Sequence, residues 1–166
     1  MAIERTLVFI KPDALNRGLA GQIISRFESK GLKIIGSKFV HIPDAQLEEH
    51  YSHIKNKPFF PGLRNFIQKA PSFFLALEGL NAVEVVRKMA GITHAGRAEP
   101  GTIRGDFALS MQSNVIHASE SKDAAQKEIR NFFSKEEIHS WKKIDSDILY
   151  AEDEKSMLNK EISEEL

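Results

Sequence analysis

The run Asn114-Val115-Ile116-His117-Ala118-Ser119 sets a histidine near the end of a short apolar stretch, one turn before a helix begins. Imidazole, largely uncharged at pH 7, is a good nucleophile toward phosphorus, and the N–P bond it forms stays energetic enough to pass the group on. A second run, Pro100-Gly101-Thr102-Ile103-Arg104-Gly105-Asp106-Phe107, holds Arg104 between two glycines. Glycine lets backbone approach a ligand closely, and the guanidinium fork suits phosphate. Lys11, just before Pro12, and Arg87 are further cations. Taken singly, each has an ordinary reading as a packing histidine, a turn arginine or a surface charge. Other phosphate solutions are missing. The nearest approach to a Gly-rich loop ending in Gly-Lys-Ser/Thr is Gly96 to Thr102, which lacks the lysine. No Gly-x-Gly-x-x-Gly follows a strand, and there is no Arg-His-Gly run.

The elements that must position these residues alternate. Thr6 to Ile10 is a buried strand stopped by Lys11-Pro12-Asp13. Ala20, Ile23, Ile24 and Phe27 repeat at helical spacing, and Gly31 closes that helix. Lys33 to His41 reads as a second strand, and Pro43-Asp44 opens a short helix with Leu47, Tyr51 and Ile54 on one face. Phe59-Phe60-Pro61-Gly62 reads as core plus a turn. Ser72 to Leu77 is a third strand. Asn81 with Glu84 suggests a capping box for a helix through Ala90, stopped by Gly91. Ile92 to Met111 has no sustained periodicity and reads as a long functional loop. Val115 to Ala118 is a short fourth strand, and Ser121 opens a last helix with Ala125, Ile129 and Phe132 inward. This order favours an α+β sandwich, helices covering a sheet.

With 166 residues the chain fits one domain. Its 23 basic and 23 acidic residues cancel, so the basic excess of a nucleic-acid binder is absent. The lack of cysteine rules out disulfides and thiolate chemistry and suits a reducing compartment. The apolar run Leu7 to Ile10 is too short for a secretion signal or a membrane span, so the expected location is cytoplasmic. From Glu152 onward six acids face two lysines, the composition of a solvated, flexible tail. The expected division is a folded domain over residues 1–151 and an acidic tail over 152–166.

Together, Lys11-Pro12-Asp13, Arg17-Gly18, Pro58-Phe59-Phe60-Pro61-Gly62-Leu63, Glu78-Gly79, the Pro100–Phe107 run and Asn114-Val115-Ile116-His117 occur in the order and spacing of one family. From about Glu4 to Tyr150 the chain resembles the nucleoside diphosphate kinases. The resemblance implies a ferredoxin-like α+β sandwich with a four-stranded antiparallel sheet covered by helices. It implies that His117 takes the terminal phosphate of a nucleoside triphosphate and hands it to a diphosphate in a ping-pong cycle. It carries Lys11, Phe59, Leu63, Arg87, Thr93, Arg104 and Asn114 into the nucleotide site, with Tyr51 beside the histidine. Lys11, Arg87 and Arg104 would supply positive charge where it is needed in phosphoryl transfer, and Thr93 a hydroxyl hydrogen bond to the phosphates. Phe59 and Leu63 would sandwich the base, while Lys11 and Asn114 would also reach the sugar hydroxyls. Ser119 and Glu128 match residues that orient the histidine.

Mg2+ would arrive on the nucleotide phosphates, with no dedicated protein metal site; His50 and His53 lack a supporting carboxylate pattern. The family assembles as homo-oligomers, and the retained Pro100-Gly101 and preceding loop favour a hexamer over a tetramer. The sequence departs from the family at His94-Ala95, where Asn-Pro is usual, and at Ala118, where glycine is commoner. The tail beyond Tyr150 has no counterpart in the family pattern.

Overall fold

The computed structural model describes residues 2–158. Four strands, β1 (Ile3–Ile10), β2 (Lys33–Val40), β3 (Ser72–Leu80) and β4 (Ile116–Ala118), form one sheet in the order β2-β3-β1-β4. Every neighbouring pair is antiparallel. The helices are α1 (Pro12–Asn16), α2 (Ala20–Ser29), α3 (Asp44–His50), α4 (Phe60–Gln68), α5 (Ala82–Ala90), α6 (Ile103–Phe107), α7 (Lys122–Phe132), α8 (Ser146–Leu149) and α9 (Glu152–Leu158). This is the antiparallel α+β sandwich that the resemblance implies. No helix among the described residues is long and apolar enough to cross a membrane.

The sheet is apolar on both faces, so central strand β1 reads as a continuous hydrophobic run rather than an alternating one. Side chains still alternate across the pleat. Val8 and Ile10 join Ile23 and Phe27 of α2 and Val86 of α5 in one core. Leu7 and Phe9 join Leu47 of α3, Ile67 of α4 and Ile129 and Phe132 of α7 in the other. At roughly 25 cal/mol per Å2 of buried apolar surface, these two layers supply the main stabilisation. β4 is held to β1 in the register Phe9↔His117. Residues directly opposite in an antiparallel pair share a face, so His117 projects toward the α3–α7 layer.

Several local expectations need correction. Asn81 does stand before α5, but in the left-handed region (φ 48°) and without a side-chain cap. The first-turn N–H of Val83 instead donates to Glu4 Oε2 on neighbouring β1, and Asn81 Oδ1 accepts from Ala2 N–H. Phe60-Pro61-Gly62 is the first turn of α4 and not a turn between elements. The stretch 92–111 contains a 3-10 turn at Ala95–Arg97 and helix α6. Residues 152–158 of the acidic tail are helical, and 159–166 lie outside the described residues.

Candidate active site

His117 leads a chain of three hydrogen-bonded groups. Its Nε2 lies 2.9 Å from Glu128 Oε2, and Ser119 donates its hydroxyl to the same oxygen at 2.6 Å. Glu128 reaches there because it sits on α7, whose Ile129 and Phe132 anchor it in the core. The helix is started by Ser121, whose hydroxyl accepts the Ala124 N–H. Ser119 also accepts the Leu7 N–H, so the group is pinned to β1. Burial would push the Glu128 carboxyl up, but hydrogen bonding and charge from His117 and the Ser119 hydroxyl outweigh it and hold the group below its ordinary value. A carboxylate accepting at Nε2 fixes that nitrogen as the protonated one, which leaves the lone pair on Nδ1.

The imidazole plane is fixed as well. Phe9 stacks on it at 4.8 Å between centroids and 18° between planes, and His50 meets it edge-on at 4.6 Å and 80°. His50 is a member of this group that sequence reasoning missed. It was visible only as one of two histidines three apart, yet its side chain is buried, with Nδ1 3.9 Å from Glu128 Oε1. Burial, with the His117 charge adding, pulls His50 down to about 3, so it is a neutral ring. His50, His117 and Glu128 carry ligand-type atoms within 4.8 Å of one another. Glu128 Oε2, however, is already shared by His117 and Ser119. Tyr51 packs edge-on against His50 at 4.5 Å, and burial, with the Glu128 charge adding, raises its phenol well above the ordinary value.

The cations lie next to this group. Arg104, at the start of α6, is buried and donates to the carbonyls of Gly91 and Ile116 at 2.6 and 2.8 Å. Its Nε has no hydrogen-bond partner among the described residues. Burial, then the Arg87 charge, lowers Arg104 to about 10, which leaves it charged at neutral pH. Lys11 is buried too and donates to Asn114 Oδ1 at 2.6 Å. Burial, then the Arg104 charge, lowers Lys11 to about 8, while Asp13 opposes the shift. Cations crowded enough to depress one another make a site whose field favours an anion.

The remaining predicted residues sit around this centre. Asn114, 1% exposed, donates through Nδ2 to the carbonyls of Thr93 and Met111, both at 2.9 Å. Arg87 and Thr93 are exposed. Phe59 precedes α4 and is 57% exposed, and Leu63 is half-buried one turn later. Gln112 donates to the Gly62 carbonyl at 3.3 Å and its own carbonyl faces Lys11 Nζ, so α4 is tied to the cation cluster through this loop.

The backbone entering β4 is strained. Val115 has φ 65°, a left-handed value that costs a β-branched residue on the order of 1–3 kcal/mol. The Ile116 N–H donates to the Asn114 carbonyl at 2.8 Å, a γ-turn that sets the direction of the following His117.

Comparisons with known proteins place the chain in a family. The family model described as nucleoside diphosphate kinase matches residues 4–138. The nucleoside diphosphate kinase of Pyrococcus furiosus is 54% identical over 153 residues, spanning 90% of this chain and 94% of that protein. That of Staphylococcus epidermidis is 48% identical over 148 residues, spanning 89% of this chain and 99% of its own length. Among solved structures, a nucleoside diphosphate kinase from Halobacterium salinarum in complex with CDP superposes with a TM-score of 0.87 at 43% identity, covering 89% of this chain and 99% of that one. A Borrelia burgdorferi nucleoside-diphosphate kinase with bound vanadate and ADP, a transition state mimic, gives a TM-score of 0.82 at 36% identity, over 87% and 95% of the two chains. With likeness of sequence over nine-tenths of its length and of fold over nearly as much, this chain belongs to the nucleoside diphosphate kinase family, enzymes that move the terminal phosphate of a nucleoside triphosphate to a diphosphate through a phosphohistidine.

Proposed function

We propose that His117 is the phosphate carrier and that its Nδ1 is the attacking atom. The observation that carries this is the 2.9 Å contact between His117 Nε2 and Glu128, which leaves Nδ1 as the nitrogen with a free lone pair. In the first half-reaction Nδ1 attacks the terminal phosphorus of a nucleoside triphosphate. The N–P bond forms as the bond to the bridging oxygen breaks, and the diphosphate leaves with that electron pair. In the second half, a terminal oxygen of another diphosphate attacks the same phosphorus and His117 departs neutral. Glu128 and Ser119 hold the ring plane and tautomer throughout.

Lys11, Arg87 and Arg104 meet the phosphates, with a hydrogen bond from Thr93. Fixed positive charge of this kind stabilises the transferring group without reorganisation. Phe59 and Leu63 take the base by contact with its faces, which suits a site serving several nucleotides. Asn114, with Lys11, meets the sugar, and Tyr51 backs the histidine. Mg2+ would be carried on phosphate oxygens and water, adding positive charge to the leaving diphosphate, because the Glu128 oxygen facing His117 is already shared with Ser119. The absence of cysteine suits a reducing, cytoplasmic setting. The working form is a homo-oligomer, read as a hexamer from Pro100-Gly101 and the loop before them; Ile92 in that loop is exposed, as are Leu109 and Met111 after α6.

The test is to mix the protein with ATP labelled on its terminal phosphate, quench it, and look for acid-labile label, with His117→Ala beside it. Label that needs His117 and moves to added GDP is the expected result. Label that forms but stays on the chain would make this a carrier to some other acceptor. Label that persists in His117→Ala would overturn the assignment.

A further inference from the structure

The geometry points to Asp13 as a positioning residue for phosphoryl transfer, its carboxylate holding the strained Val115 turn that aims His117 and the groups around it. Asp13 sits in the first turn of α1, directly after the strand that carries Phe9, and is not among the residues expected to meet the nucleotide. Its Oδ2 accepts the Val115 N–H at 3.1 Å across 102 residues of chain. The Val115 carbonyl in turn accepts the Lys11 N–H at 2.9 Å. Both polar groups of the peptide units at Val115 are therefore clamped to the segment that ends β1. Without such a clamp a valine would leave φ 65° for the extended region, since only glycine takes positive φ freely.

What the turn positions explains why the clamp matters for chemistry. On its N-terminal side Asn114 is bonded to Lys11. On its C-terminal side the Ile116 carbonyl is bonded to Arg104, and His117 is the next residue. Relaxing Val115 moves the nucleophile and both cations' anchors together. A second feature marks Asp13 as more than a helix-starting acid. Its Oδ1 is buried without a hydrogen-bond partner among the described residues, a costly placement for a carboxylate that the turn alone would not require.

The inference rests on His117 being the carrier, and the experiment separates the two. Single-turnover labelling by ATP is measured for the wild type, Asp13→Ala, Asp13→Asn, Asp13→Glu and each of these combined with Val115→Gly. Asp13→Ala is expected to label about 100-fold more slowly, the effect of an ångström-scale misplacement. Asp13→Asn keeps an acceptor oxygen and should stay within about fivefold of the wild type. Adding Val115→Gly should return at least about tenfold to Asp13→Ala, because glycine holds the turn unaided. Should Asp13→Ala fail to fold, Asp13→Glu carries the test: its extra methylene pushes the carboxylate out of register, and Val115→Gly must restore it. A wild-type rate in Asp13→Ala or Asp13→Glu overturns the inference, as does a loss that glycine at 115 does not repair. Failure of the His117 reading would show instead as unlabelled wild type or as label that His117→Ala retains.

Discussion

Lys11 is the residue where function and stability pull hardest against each other. Burial and the Arg104 charge lower it from its ordinary value of 10.5 to about 8, so the unliganded fold holds a cation where it is poorly solvated. Below pH 8 both folded and unfolded chains are protonated at Lys11 and the full cost is present. Between about 8 and 10.5 the unfolded chain binds more protons, so this contribution makes stability rise with pH. Lys11→Met should therefore raise the stability of the free protein at pH 7 by about 1–3 kcal/mol, lose the rise above pH 8, and cut turnover at least about 100-fold. Urea unfolding at pH 7 and pH 9.5 together with steady-state kinetics reads all three. A variant less stable than wild type at pH 7 would mean that the bond to Asn114 outweighs the burial cost. Residues such as Arg104 in Pro100–Phe107 and His117 in Asn114–His117 were legible because they are chemically distinctive and stand in long runs. His50 was not, because nothing in its neighbours Glu49 and Tyr51 says that α3 faces α7. That contact belongs to the tertiary fold.

At the scale of elements, the strands were readable as apolar runs and α2, α3, α5 and α7 from their spacing and start signals, whereas α1, α4 and α6 were not. α4 was hidden because Pro61 and Gly62, ordinarily breakers, fall in its first turn, where proline costs nothing. The box expected at Asn81 failed because Glu4, far away in sequence, supplies the cap that Asn81 does not. α6 was lost in a stretch whose glycines looked like loop. Gly105 there answers to packing: a Cβ on it would fall 2.1 Å from the Glu99 carbonyl oxygen and 2.9 Å from Thr102 Oγ1. The Thr102 hydroxyl also caps the helix by accepting the Gly105 N–H. Gly105→Ala must push α6 away from backbone that cannot yield, and Arg104 goes with it. The expected outcome is a loss of about 1–3 kcal/mol of stability and about 100-fold in turnover, read by denaturant unfolding and by kinetics. Wild-type turnover in a folded variant would show that α6 tolerates displacement and that Arg104 is not held by this contact.

For the whole molecule the question is where the working body ends. The family model matches residues 4–138, yet structure continues past it and packs back on the sheet. His139 donates its N–H to the Ile35 carbonyl of β2, and Trp141 Nε1 donates to the Ile34 carbonyl. Further on, Leu149 lies so close to Gly31 that a Cβ there would meet its Cδ2 at 2.5 Å, and the Tyr150 hydroxyl is within 3.7 Å of where a Cβ on Gly79 would sit. Among the described residues, Tyr150 makes the last of these contacts to the sheet side of the molecule. Beyond it α9 opens on three acids, and Glu152 pairs with Lys155 of its own helix, an exposed local pair of a kind that contributes little. Deleting 152–166 should therefore leave turnover within about twofold and unfolding within about 0.5 kcal/mol, and light scattering should give the same oligomer as the full chain. Deleting from 139 onward strips the bonds from β2, the sheet's outer strand, and should destabilise it by several times as much. A monomer in both the full chain and the shorter deletion would overturn the assembled form proposed above. If the 152–166 deletion alone dissociates, the acidic helix is part of the subunit contact, and the functional body extends past the point where the family pattern stops.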